Sequence, residues 1–146
     1  MTVDVFVANE QELEVDETKL SALAQHVLQA EDVDDAAELS VLLVTRDHIR
    51  RLNARFAGDD YATDVLSFPM MEDEDSSLLL GDVVICPDVA SSNAAKIGHD
   101  VAAELETLLV HGTLHLLGYD HDEEEEKARM DARQREILAA FHASAS

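Results

Sequence analysis

Apolar residues recur along the chain with two different periods, and the switches between them predict the order of its elements. Over residues 2–8 Val3, Val5 and Val7 alternate with other residues, the period-two signature of a strand. From Asp16 to Ala30 the period lengthens: Leu20, Leu23, Ala24, Val27 and Leu28 fall on one helical face, and Asp16 stands where an N-cap acceptor belongs. A second strand is predicted over 38–45, and a short helix over 46–57 with Ile49, Leu52 and Phe56 turned inward. Gly58-Asp59-Asp60 reads as a turn, and strands follow at 64–69 and 79–86. Pro87-Asp88 opens a helix that ends near Gly98. In the next helix, 101–117, Leu105, Leu108, Leu109, Leu114, Leu116 and Leu117 cover most of the circumference, so it is predicted to be central and buried. The carboxylates of Asp122 to Glu126 suit the positive end of a last helix, predicted to end near Phe141.

A β-α-β opening followed by a strand pair predicts an α+β fold: a small mixed four-stranded sheet packed with about five helices. At 146 residues the chain has the size of one domain, and no linker divides residues 1–146. Cys86 is the one cysteine, which excludes a disulfide framework and points to a reducing, cytoplasmic setting. It reads either as core or as a fourth metal ligand. The start carries no basic segment followed by a long apolar one, and no run approaches the ~20 apolar residues of a membrane span, so neither secretion nor a membrane is expected. Met71 to Ser77 reads as a solvated acidic loop.

Chemistry concentrates at residues 108–121. His111 and His115 are four apart, which puts both imidazoles on one face of a helix one turn apart, as a bidentate metal clamp. Gly118 suits a helix C-terminus and lets the chain turn back so that His121 approaches as a third ligand. Three imidazoles suit one zinc ion and leave a tetrahedral position open, as catalytic sites do. Zinc proteases of the His-Glu-x-x-His type place a glutamate base directly after the first histidine; here that position is Gly112. The glycine either leaves room for a substrate or marks a packing contact. Asp64, Asp82 and Asp120 are candidates to orient the histidines, with caps and backbone contacts as their alternative roles. Thr63 and Ser67 either contact phosphate or complete a turn.

The run His-Gly-Thr-Leu-His-Leu-Leu-Gly-Tyr-Asp-His at 111–121 resembles the signature of the YbeY family, bacterial zinc-dependent endoribonucleases of ribosomal RNA maturation. Leu52-Asn53, then Thr63 to Pro69, then Leu80 to Ile85 are similar to the family's other motifs in order and spacing. The resemblance covers about residues 40–122 and implies a small mixed sheet with the zinc helix packed on it. It also implies a single-strand-specific activity on the precursor of 16S rRNA near its 3′ end, a role in ribosome quality control, and partnership with the small ribosomal subunit and its assembly factors. One position departs. Many members carry an arginine just before the glycine that precedes the Thr-Asp-Val-Leu-Ser-Phe run, and this chain has Ala57 there. Arg55 and Asp82 remain as candidate catalytic residues.

Charge complicates the RNA reading. Thirty-two acidic residues against ten basic ones give a net charge of −22, which repels a polyanion at low ionic strength. Arg46, Arg50, Arg51 and Arg55 share the short helix, either as a ridge that holds phosphates or as its wet face paired with nearby acids. The acid surplus fits a high-salt setting, where a Debye length of ~3 Å at 1 M cancels the repulsion. Two rival functions stay open: a non-catalytic ribosome-assembly factor whose zinc is structural and closed by a fourth ligand such as Cys86 or Asp120, and a zinc hydrolase acting on another substrate such as a peptide. Zinc chemistry offers two routes through a phosphodiester, attack by activated water or by the ribose 2′-hydroxyl, and the product ends tell them apart.

Overall fold

The computed structural model describes residues 4–34, 36–70, 79–120 and 122–145. The acidic stretch 71–78 and His121 lie outside the described residues. In chain order the elements are β1 (Asp4–Asn9), α1 (Glu17–Ala30), β2 (Glu38–Leu43), α2 (Arg46–Phe56), β3 (Val65–Pro69), β4 (Leu79–Ile85), α3 (Pro87–Ile97), α4 (Val101–Leu116) and α5 (Glu124–Ala145). This is the α+β arrangement that the apolar pattern predicts. Boundaries follow the local signals: Asp16 accepts from the Lys19 amide at the head of α1, Thr45 from His48 at α2, and Asp100 from Ala102 at α4. Only α5 runs well past its predicted end, because Ala, His and Ser carry no stop signal after Phe141.

The strands lie in the order β1-β2-β4-β3. β1, β2 and β4 are parallel, and β3 pairs antiparallel with β4 from Val65↔Ile85 to Pro69↔Gly81. Alternation along the strands then separates two apolar layers. On one face Leu39, Val41, Leu43, Val83 and Ile85 pack with Leu23, Val27 and Leu28 of α1, Leu109 and Leu114 of α4, and Met130 and Ile137 of α5. On the other face Val84 and Cys86 pack with Val44, with Ile49 of α2 and with Val89 of α3.

Between the helices of the first layer sits one buried carboxylate, Glu106 of α4. Lys19 of α1 places its Nζ 3.3 Å from one oxygen, and His142 of α5 places its Nε2 2.9 Å from the other. The histidine contact lacks the alignment of a hydrogen bond. A buried charge costs several kcal/mol unless partnered, and the Lys19 ammonium on one oxygen and the His142 ring on the other tie three helices to a single point.

Candidate active site

α4 is the platform of the site. Leu105, Leu108, Leu109, Val110, Gly112, Thr113 and Leu114 are buried, so the helix meets solvent along one stripe only, where His111 is half-buried and His115 exposed. The predicted pair therefore shares a face one turn apart. The chain leaves α4 through Leu117, and Gly118 follows at φ +104°, a conformation that L side chains rarely adopt. The Gly118 amide donates to the His115 carbonyl at 3.1 Å and the Tyr119 amide to the Leu114 carbonyl at 3.1 Å, which folds the chain back over the helix end. This is the reversal expected just before His121.

Gly112 is explained by packing. A Cβ at this position would lie 2.8 Å from Val83 Cγ1, 3.2 Å from Ser67 Oγ and 3.2 Å from Val65 Cγ2. Ser67 Oγ donates to the Gly112 carbonyl at 2.9 Å, so Ser67 docks the strand on the helix and the phosphate role considered for it is not needed. Thr63 and Asp64 are also engaged locally. The Asp64 carboxylate accepts from Asn93 at 3.3 Å and from the Thr63 hydroxyl at 3.4 Å, while its carbonyl accepts from the Cys86 amide at 2.9 Å. These bonds close the start of β3 onto α3.

Other candidates lie across the sheet. Asp82 pairs in register with Ser40 and Phe68, on the face opposite Val83 and therefore opposite α4. The structure does not bring it to the histidines. There it lines a groove of about 350 Å³ with Asp4, Phe6, Glu38, Ser40 and Met70. Burial pushes its carboxyl above the usual range, partly offset by a hydrogen bond from Ser40. Cys86 is fully buried on that same far side, among Val44, Ile49, Val84 and Val89, and burial raises its thiol as well. It is a core residue, and the fourth-ligand role considered for it is not supported.

The arginines of α2 also face away from α4. Arg46 pairs with Asp88 and reaches the Ser92 hydroxyl at 2.7 Å, Arg50 meets Asp60 at 2.7 Å, and Arg51 meets Asp47 at 3.1 Å. Three of the four are thus neutralised at an exposed surface, as a paired wet face would be. Arg55 carries no ion pair among the described residues; its guanidinium lies 5.2 Å from the Phe56 ring, and Phe56 meets Phe68 edge-on. Ala57, in the place of the family arginine, is the exposed C-cap of α2.

One group next to the site has no signal in the local sequence. Arg133 of α5 donates to the Glu31 carboxylate at 2.6 Å and to the Ala30 carbonyl at 2.8 Å, at the C-terminal end of α1. The Glu31 carboxylate, together with partial burial, also holds the Tyr119 phenol above its ordinary range. The three residues are far apart in sequence, and nothing in it singles out Arg133 from Arg129 and Arg135 of the same helix.

Fold and site together define a small α+β domain built on one central helix whose solvent-facing stripe presents two imidazoles. Comparison with known proteins narrows this. The chain matches the family described as Endoribonuclease YbeY over residues 6–142, and it belongs to that family. It is 44% identical to the Endoribonuclease YbeY of Salinispora tropica, over 99% of both chains, and 46% identical to that of Acidothermus cellulolyticus, over 98% of this chain and 93% of the relative. Among solved structures, a Thermotoga maritima protein determined in solution superposes with a TM-score of 0.63 at 27% identity, covering 96% of this chain and 93% of that one.

Proposed function

We propose that this protein is a zinc-dependent endoribonuclease that cuts single-stranded RNA, with His111, His115 and His121 as the metal ligands. The observation that carries the reading is the placement of two imidazoles one turn apart on the open stripe of an otherwise buried helix, with a glycine at positive φ reversing the chain three residues before His121. The donor set fits zinc: neutral imidazoles on a rigid element, at ligand spacing, beside solvent. No group of three or more metal-binding side chains occurs among the described residues, and His121 lies outside them. Relatives that bear the name endoribonuclease across nearly the full chain support the reaction class.

Zinc held there supplies a Lewis acid for the scissile phosphate and makes water more acidic. The chain's own residues supply position. Gly112 and Ser67 seat α4 on β3 and β4, and the Thr113 hydroxyl donates to the Leu109 carbonyl at 2.7 Å, so the apolar side of the helix leaves no buried hydroxyl unsatisfied. We extend the reading to ribosomal RNA precursors, with the small ribosomal subunit and its assembly factors as partners, in a cytoplasmic setting that suits the buried thiol of Cys86. No helix among the described residues is long and apolar enough to cross a membrane.

The test is His115→Ala. The variant should lose zinc and cleavage of a single-stranded RNA oligonucleotide together while keeping its far-UV dichroism. Cleavage that survives loss of the metal refutes the mechanism. Product ends then choose the route, a 2′,3′-cyclic phosphate for attack by the ribose hydroxyl and a 3′-hydroxyl or simple phosphate for attack by water.

A further inference from the structure

The turn that ends α4 and the first turns of α5 border a groove of about 490 Å³, lined by Leu117, Gly118, Tyr119, Asp120, Glu126 and Arg129. That volume lies in the range of small-ligand sites. The groove begins at Leu117, the C-cap of α4, two residues past His115. Backbone acceptors at this helix end are already engaged: the Thr113, Leu114 and His115 carbonyls accept from the Leu117, Tyr119 and Gly118 amides. Charge in the groove therefore comes from the side chains of Asp120, Glu126 and Arg129.

Arg129 differs from most cations of this acidic chain. Lys19, Arg46, Arg50, Arg51 and Arg133 all sit in ion pairs. Arg129 is exposed and carries no ion pair among the described residues, although Glu126 is three positions back on the same helix. A guanidinium stays charged and offers five donors in one plane, a match for the oxygens of a phosphodiester. Two other grooves of the protein lack such a group. The one beside β1 presents Asp4, Glu38 and Asp82, and the one along the loop before α1 presents Glu12, Glu14 and Glu17, with no cation in either lining. Both repel a polyanion.

We propose that the groove between the α4 turn and α5 is a subsite for one nucleotide of a single-stranded RNA. Arg129 takes a phosphodiester of the strand, and the Asp120 and Glu126 carboxylates accept from ribose hydroxyl or base amino groups. Those donors are exposed on an unpaired nucleotide, and the 2′-hydroxyl among them is absent from DNA. The subsite rests on the nuclease reading above and adds to it a contact that holds the strand beside the end of the histidine helix.

The test compares two arginines of α5. Arg129→Gln and Arg135→Gln remove the same charge from the same helix. Arg135 is also exposed and without an ion pair among the described residues, but six positions on it falls on another face and does not line the groove. KM and kcat are measured on the zinc-loaded full chain with a fluorogenic single-stranded RNA oligonucleotide over a range of salt concentrations. Expected for Arg129→Gln is a KM raised roughly fivefold or more, with the slope of log KM against log salt reduced by about 0.7, the signature of one lost phosphate contact on a single strand. Arg135→Gln should stay within about twofold of the parent in KM and keep its slope. Equal changes in the two variants mean that net charge alone acts and overturn the subsite, as does an Arg129→Gln variant with the parent's KM and salt slope. If the parent chain itself cleaves no RNA oligonucleotide, the nuclease reading fails, and the subsite with it, before any variant is compared.

Discussion

Gly112→Ala tests the fit between the histidine helix and the sheet. In an exposed helix this change stabilises, because alanine is about 1 kcal/mol better than glycine in a helix interior. Here the added methyl would sit 2.8 Å from Val83 Cγ1 and 3.2 Å from both Ser67 Oγ and Val65 Cγ2. Carbon atoms prefer about 3.5–4.0 Å, so the overlap with Val83 approaches 1 Å. Val83 cannot yield cheaply: it is fully buried, β-branched and paired on both sides, with β2 and with β3. Overpacking of this kind costs about 1–3 kcal/mol, which outweighs the helix gain. The difference centres on a net loss of about 1 kcal/mol and reaches about 2 kcal/mol, a fall in melting temperature of up to about 8 °C for a domain of this size. Urea denaturation at constant slope measures it. In a Val83→Ala background the same methyl should cost far less, giving a coupling of at least about 0.5 kcal/mol. A Gly112→Ala variant more stable than the parent would refute the argument and return the glycine to the role of leaving room for substrate.

Two more outcomes follow from the far side of the sheet. Because burial raises the folded-state pKa of Asp82, its ionisation opposes folding above the ordinary carboxylate range near ~4 and costs nothing below it. Asp82→Asn should therefore raise the melting temperature at pH 7, with the gain fading as pH falls toward ~4; a gain that grows on acidification contradicts the assignment. Arg55 stands across the sheet from α4, so Arg55→Ala should leave the rate of RNA cleavage within about twofold, and a tenfold loss, worth about 1.4 kcal/mol, would show that it reaches around the edge strand into the site.

Most of the scaffold is legible in the sequence because its signals are local. Asp16, Thr45 and Asp100 cap helices by bonds to residues two or three positions on, Pro87 and Gly98 bracket α3, and the buried face of α1 is the one its leucines mark. What escapes is set by partners distant in the chain. Gly112 reads equally as space or as contact until Val65, Ser67 and Val83 are placed beside it. Alternation tells that Asp82 and Val83 face opposite ways, but which face carries the histidine helix depends on how α4 packs. The arginine cluster of α2 looks like a phosphate ridge only while Asp88 and Asp60 are out of view. Arg133 and Glu31, about a hundred positions apart, are invisible to any window of sequence.

α4 is enclosed by α1, α3, α5, β3 and β4, so neither imidazole on it can shift far without unpacking the domain around it. An enzyme that stiff leaves the adjusting to its substrate. A nucleotide in a loop or tail can swing its phosphate into line at small cost, whereas one inside a duplex must first give up its pairing and stacking. Discrimination between paired and unpaired RNA would then need no reading of bases at all: it arises from which of the two partners is able to bend.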